Sequence, residues 1–231
     1  MSVVGLIGAM DEEIDVIKSW MGDVQETSIA GCDFFVGKFE GKDIVLLKSG
    51  IGKVNAAVST ALLLSKFAPE YVINIGSAGG FDADLNVGDV VISDAVLHHD
   101  VDVTAFGYMM GQVPNMPAVY EADNALVSKA KDAINEGAAA QAKVGLIGTG
   151  DSFMNDPVRV NAVRDVFPAL IAVEMEAAAV AQTCYKFSTP FVVIRSLSDI
   201  AGKESPQSFE EYLKLAAENS SLMIQSMLKD N

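Results

Sequence analysis

The residues best suited to chemistry in this 231-residue chain are carboxylates set just after short apolar runs. Asp11-Glu12-Glu13 follows Val3–Ile7 directly. Acidic residues suit the first turn of a helix, where they face the positive end of its dipole. Alternatively, one of the three can face a crevice at the strand end and serve as a base that activates water, as glycosyl transfer with inversion requires. Glu174-Met175-Glu176 sits between two apolar stretches, Ala172-Val173 and Ala177–Ala181. A helix start on the surface accommodates such glutamates. If buried they need partners, because an unpaired buried carboxylate is costly, and Glu176 could then accept hydrogen bonds from sugar hydroxyls. Asp199 follows Phe191–Ile194 through Arg195-Ser196-Leu197-Ser198. It could pair with Arg195, cap a helix, or protonate a leaving base. The last role needs an environment that favours the protonated form, since a carboxyl with a pKa of about 3.9 is only about 0.1% protonated at neutral pH.

Other chemistries are poorly supported. His98-His99-Asp100 offers too few ligands for a metal centre, and the chain has no other histidine. There is no G-x-S-x-G, no dinucleotide fingerprint and no P-loop. No metal or cofactor is expected. A formal charge of −15 without a basic tract disfavours nucleic acid and anionic membranes as partners. Only three arginines occur, Arg159, Arg164 and Arg195, which matters because phosphate sites usually use arginine or lysine. Cys32 and Cys184 read as free thiols in a reducing compartment. With neither a basic-led apolar leader nor an 18-residue apolar span, a cytoplasmic location is expected.

The elements that must position these groups are legible as an alternation. Apolar runs at Val3–Ile7, Ile44–Leu47, Tyr71–Ile75, Val90–Ile92, Val144–Ile147, Ala172–Val173 and Phe191–Ile194 are continuous, which suits strands buried on both faces. Helical spacing predicts helices over Asp11–Trp20, Lys53–Phe67, Asn124–Glu136, Pro157–Val166, Glu176–Phe187 and Ser208–Leu228, the last opening on a capping box at Ser208-Phe209-Glu210-Glu211. The expected fold is α/β, a three-layer sandwich with a twisted mixed central sheet flanked by helices, in one domain over residues 1–231. Glycine-rich turns end several strands: Gly8-Ala9-Met10, Gly50-Ile51-Gly52, Gly76–Gly80 and Gly148-Thr149-Gly150-Asp151. They either make tight connections only or gather at one sheet edge, where ligands of open α/β sheets bind.

Six collinear motifs carry a resemblance over residues 3 to about 228: Gly8-Ala9-Met10-Asp11-Glu12-Glu13, Lys48-Ser49-Gly50-Ile51-Gly52-Lys53, Asn74-Ile75-Gly76-Ser77-Ala78-Gly79-Gly80, Asp102-Val103-Thr104-Ala105-Phe106-Gly107-Tyr108, Ala172-Val173-Glu174-Met175-Glu176-Ala177 and Arg195-Ser196-Leu197-Ser198-Asp199. Together they resemble the bacterial 5′-methylthioadenosine/S-adenosylhomocysteine nucleosidases, members of the nucleoside phosphorylase superfamily. The resemblance implies an N-ribosyl hydrolase that releases adenine, without a cofactor. It implies Glu13 as the base that positions water, Asp199 as the acid for adenine N7, and Met175 and Glu176 as ribose contacts. Ser198 would hold Asp199, and Arg195 would lie near the water. Phe153 would stack on adenine and Met154 would read it through its backbone, where the family usually has isoleucine or valine. Ser77, Ala78 and Gly79 would line the crevice, and Met10, Ile51 and Phe209 would surround the 5′-thio group. Residues 103–117 carry many apolar side chains. In the family this loop reaches a neighbouring subunit's 5′ pocket, so a homodimer is expected with Val103, Phe106 and Pro114 given to the partner. Other expectations compatible with the same residues are a nucleoside-binding protein without turnover and a purine nucleosidase for another 5′-substituted nucleoside, such as a futalosine-type compound.

Overall fold

The computed structural model describes residues 3–135, 141–202 and 205–229. These form a ten-stranded mixed sheet with six α-helices. The first strand, β1 (Val3–Gly8), lies parallel to β4 (Lys42–Lys48) on one side and to β5 (Tyr71–Gly80) on the other. β5 continues parallel to β10 (Phe191–Ile200). β10 then runs antiparallel to β6 (Val90–His98), which is parallel to β8 (Ala142–Thr149). β8 is parallel to β9 (Leu170–Glu174), and β9 returns antiparallel onto Gly79 and Gly80 of β5. The sheet thus closes a ring through β5, β10, β6, β8 and β9, while β1, β4, β3 (Cys32–Phe39) and β2 (Gly22–Ile29) extend from it as an open wing. A two-residue strand, β7 (Tyr120–Glu121), pairs with β6.

The helices α1 (Asp11–Trp20), α2 (Lys53–Phe67), α3 (Asn124–Asn135), α4 (Pro157–Val166), α5 (Ala177–Phe187) and α6 (Ser205–Leu228) cover the sheet. Their bounds match the helical spacing closely. α6 differs, because it begins at Ser205, ahead of the expected capping box; the Ser208 side chain in that box lies outside the described residues. Glu136, the expected last residue of α3, also lies outside them. Strands β2 and β3 were not expected. β2 reads Gly-Asp-Val-Gln-Glu-Thr-Ser-Ile and is mostly exposed at the sheet edge, so it has no buried face to leave a pattern.

Two further differences bear on chemistry. Gly76–Gly80 is the end of strand β5 rather than a turn. Likewise β10 runs to Ile200, so Asp199 lies within a strand and not after one. The β10–β5 register slips between Leu197 and Asp199, a bulge at Ser198. Bulges of this kind re-aim a side chain at a strand end.

The core is continuous on both sides of β1, β5 and β10, with Leu6, Ile73 and Val192 wholly buried. Ile73 pairs with Leu6 on one side and Val192 on the other. Ile73→Ala is expected to cost about 2–5 kcal/mol; the urea midpoint should fall accordingly with little change in slope.

Candidate active site

The carboxyl ends of β1, β4, β5, β9 and β10 border one cavity of about 410 Å³. Its wall is mostly apolar, with Ala9, Met10, Ile51, Ala78, Phe153, Met154, Val173, Met175 and Phe209. Against that wall stand four carboxylates that are almost wholly buried: Glu13, Glu174, Glu176 and Asp199.

Each carboxylate is fixed by the way its segment folds. Glu13 sits in the first turn of α1, as acidic residues there should. Its Oε2 accepts the Ala9 and Met10 N–H groups at 2.7 and 3.3 Å. Its Oε1 accepts the Ser77 N–H at 2.9 Å and hydroxyl at 3.0 Å. The helix-start and crevice-facing roles are therefore met by one side chain. Glu174 closes β9 and collects donors from several elements. Arg195 Nη2 donates to it at 2.6 Å, the Glu176 and Ala177 N–H groups at 2.9 and 2.8 Å, and the Thr149 hydroxyl also donates to it. It thereby satisfies the opening turn of α5. Glu176 precedes α5 and accepts the Gly52 N–H at 2.8 Å. Burial pushes its carboxyl up to about 8; the neighbouring Glu174 and Glu13 charges add to this, while Arg195 and the Gly52 N–H oppose it. Asp199 emerges from the β10 bulge beside Gly79, where a Cβ would lie 3.2 Å from its Oδ2. The Ser198 hydroxyl lies 3.1 Å from Asp199 Oδ1, in donor geometry.

Arg195 is wholly buried behind these groups. Nη1 donates to the Ile75 carbonyl and Nη2 to Asn74 Oδ1, each at 2.8 Å, in addition to Glu174. Glu176 Oε2 is 3.6 Å away. Burial works against its charge, but Glu174, Glu176 and Glu13 outweigh that and hold its pKa above the ordinary arginine value. The pairing between Arg195 and Asp199 that their spacing allows does not form, because Glu174 occupies the guanidinium. Nor does Arg195 line the cavity, unlike the other residues expected in this chain's own pocket. It acts on the site from behind.

Ser77, Ala78, Gly79, Met10, Ile51, Phe153, Met154, Met175, Ser198 and Phe209 all border the cavity. Phe153 and Phe209 meet edge to face with centroids 5.7 Å apart, so the loop after β8 and the start of α6 form one apolar rim. The Met154 carbonyl accepts the Gly202 N–H at 3.0 Å, which leaves it a second lone pair. Val103, Phe106 and Pro114 do not border this cavity; Phe106 is 82% exposed. His98 hydrogen-bonds Gln182 at 2.9 Å. Among the described residues no cluster of three or more His, Cys, Asp or Glu could hold a metal ion. Residue patterns alone missed Glu174 as a functional group, along with Asn74, Thr149 and Gly52. The signal available for Glu174 was its place beside Glu176 between apolar runs. Asn74 was signalled only as a polar residue inside an otherwise apolar strand.

Gly76 is where this arrangement tolerates no side chain. Its φ is +143°, and a Cβ there would sit 2.2 Å from Arg195 Nη1 and 2.5 Å from Glu13 Oε1. Gly76→Ala is expected to displace both groups, costing about 1–3 kcal/mol of stability and about 100-fold in turnover; thermal melting and steady-state rates read the two effects separately.

Comparison with known proteins agrees with this geometry. The sequence profile of the phosphorylase superfamily matches residues 3–229. The 5′-methylthioadenosine/S-adenosylhomocysteine nucleosidase of Marinomonas sp. is 80% identical over all 231 residues and the whole of both chains. The crystal structure of such a nucleosidase from Colwellia psychrerythraea, in complex with adenine, superposes with a TM-score of 0.96 at 52% identity, covering 98% of this chain and 94% of that one. The Neisseria meningitidis nucleosidase, in complex with methylthio-immucillin-A, gives 0.97 at 48% identity and covers 99% of each chain. The chain belongs to the phosphorylase superfamily and, within it, to the 5′-methylthioadenosine/S-adenosylhomocysteine nucleosidases.

Proposed function

We propose that this protein hydrolyses the N-ribosyl bond of 5′-methylthioadenosine and S-adenosylhomocysteine, and also that of 5′-deoxyadenosine, releasing adenine and the 5-thioribose or 5-deoxyribose product. What carries this function is the meeting of Glu13, Glu176 and Asp199 in one mostly apolar cavity of about 410 Å³, large enough for a nucleoside. Glu13 takes the proton of the attacking water, with its orientation set by the Ala9 and Ser77 N–H groups. Asp199 delivers a proton to adenine N7, so the base leaves neutral. Glu176 receives the ribose hydroxyls with Met175 beside it, and in its ionised form it offsets the oxocarbenium character that develops on the sugar. Ser198 orients Asp199. Phe153 stacks on adenine and Met154 reads it through its backbone. Ser77, Ala78 and Gly79 form the crevice wall, and the 5′-thioether lies against Met10, Ile51 and Phe209, where a polarizable sulfur and an aromatic ring suit it.

Water rather than phosphate is the second substrate. A phosphorylase needs free cationic groups beside the ribose. Here Arg195 already serves Glu174, Asn74 and Ile75, and the ionisable side chains that border the cavity are all carboxylates. The reaction serves methionine salvage and removal of S-adenosylmethionine by-products. Two buried free thiols suit a cytoplasmic location, and residues 1–231 act as one unit. The test is adenine release from a panel of 5′-substituted adenosines and futalosine, with and without phosphate. Release should be fastest for the two thio-substrates and independent of phosphate. Asp199→Asn should lower it by about 100- to 10,000-fold. A strict phosphate requirement, or a wild-type rate in Asp199→Asn, overturns the mechanism.

We also propose a homodimer. Phe106, Met109 and Met110 in the loop after β6, with Val54 and Val58 on α2, are exposed apolar side chains of the kind that mark an interface when they gather in one patch. Val103, Phe106 and Pro114 then complete the partner's 5′ pocket. Light scattering should give twice the chain mass, and Phe106→Ser should raise KM for methylthioadenosine more than it lowers kcat. A fully active monomer contradicts this arrangement.

A further inference from the structure

Outside the cavity lies a second set of charges that the chemistry just described does not use. Three contacts tie the start of α2, the loop after β6 and the loop after β8 to one another. The Lys53 N–H, at the open start of α2, donates to Asp151 Oδ1 at 2.8 Å. Lys53 Nζ donates to Asp100 Oδ1 at 2.6 Å. The Asp151 N–H donates to Asp100 Oδ2 at 3.0 Å. Asp151 thus supplies the cap that Gly52, lacking a side chain, cannot give α2, and its charge lies at the positive end of that helix. Burial alone would raise the Asp100 carboxyl, but the Lys53 ammonium and the Asp151 N–H outweigh it and hold it below the usual range. The turn between β4 and α2 presents the Gly52 N–H, with φ at +94°, to Glu176 Oε1 at 2.8 Å.

We propose that Lys53 and Asp100 are positioning residues for ribose binding: by fastening the start of α2 to the loop after β6, and through Asp151 to the loop after β8, they hold the Gly52 N–H against Glu176 and so fix that carboxylate for the sugar hydroxyls. Neither residue borders the cavity. Their influence passes through a backbone donor. The groups facing Glu176 are Glu174, Arg195, Glu13 and the Gly52 N–H. Of these, Arg195 and Gly52 favour the ionised form, and Arg195 is shared with Glu174. Loosening the turn removes one of only two groups on that side. The sign follows: a hydrogen bond to the charged form lowers a carboxyl pKa, so its loss raises Glu176 further and leaves less of it ionised at a given pH.

This rests on Glu176 as the ribose ligand, and the test separates the two claims. The variants are Asp100→Asn, Lys53→Met and Lys53→Arg, with Lys38→Met as control because its pair with Asp43 lies on the exposed wing. In the ligand-free protein, carbon NMR titration of the Glu176 carboxyl should show its midpoint about one unit higher in Asp100→Asn and Lys53→Met, the scale of one charge-assisted hydrogen bond. Exchange of the Gly52 amide should quicken in both. With methylthioadenosine, KM should rise about tenfold near neutral pH, kcat should change far less, and the acidic limb of kcat/KM should move to higher pH by the same amount as the titration. Lys53→Arg should restore most of this, and Lys38→Met should match the wild type. An unmoved Glu176 titration and Gly52 exchange in folded Asp100→Asn or Lys53→Met overturns the proposal. So does a loss carried by kcat alone. Should Asp100→Asn not fold, Lys53→Met, which keeps its aliphatic stem, decides alone. A wild-type protein that releases no adenine would remove the ribose role of Glu176 and leave the titration to judge the clamp.

Discussion

A single buried guanidinium organises this molecule. Removing an arginine from water is expensive unless charge and hydrogen bonds replace its solvation. Arg195 meets that requirement with Glu174, Asn74 and the Ile75 carbonyl. Each partner imposes something on the fold. Asn74 must sit inside β5, among apolar neighbours. Gly76 must stay bare, since a Cβ would occupy the space of Arg195 and Glu13. Glu174 must close β9 while also receiving the first N–H groups of α5. A strand, a helix start and a charge cluster therefore share one carboxylate, and Glu13, Glu176 and Asp199 border the same cavity.

Around that centre the acidic groups have different environments, which lets residues of one chemical type do different work. Glu13 is surrounded by donors aimed at both oxygens, so it is held as an acceptor. Glu176 receives one N–H and lies among like charges, and burial pushes it up to about 8. Asp199 stands across the cavity on a strand bulge, next to a hydroxyl and a bare glycine. A hydrogen-bond census alone would not predict this division. It follows from which strand end each residue occupies and what the bulge and the helix starts offer there.

Much of the architecture was legible because strands buried on both faces leave continuous apolar runs, and helices leave a 3.6-residue period. β2 left no trace because its exposed face and its polar composition carry no burial signal. Gly76–Gly80 reads as a turn because glycine usually marks one, yet the chain stays extended there. Its missing side chains make room for Arg195, Glu13 and Asp199 rather than for a bend. The site residues were legible through motif resemblance, and the crevice they share needed coordinates. Residue spacing could not choose between Asp199 and Glu174 as the partner of Arg195. The nearer carboxylate in sequence is not the nearer in space, because β9 reaches the guanidinium through an antiparallel return onto β5.

The same charge cluster bears on why water suffices as nucleophile. A dianion entering beside Glu13 and Glu176 would need a cation with donors to spare. Arg195 commits three of its five N–H groups to Ile75, Asn74 and Glu174, its Nε is enclosed in the buried interior, and the side chain does not border the cavity. Freeing the guanidinium would strip Glu174 of its strongest donor and α5 of the geometry of its first turn. Phosphate affinity and the integrity of the helix start therefore oppose each other here. A neutral nucleophile avoids the conflict, since it asks only for an acceptor, and Glu13 is already oriented as one.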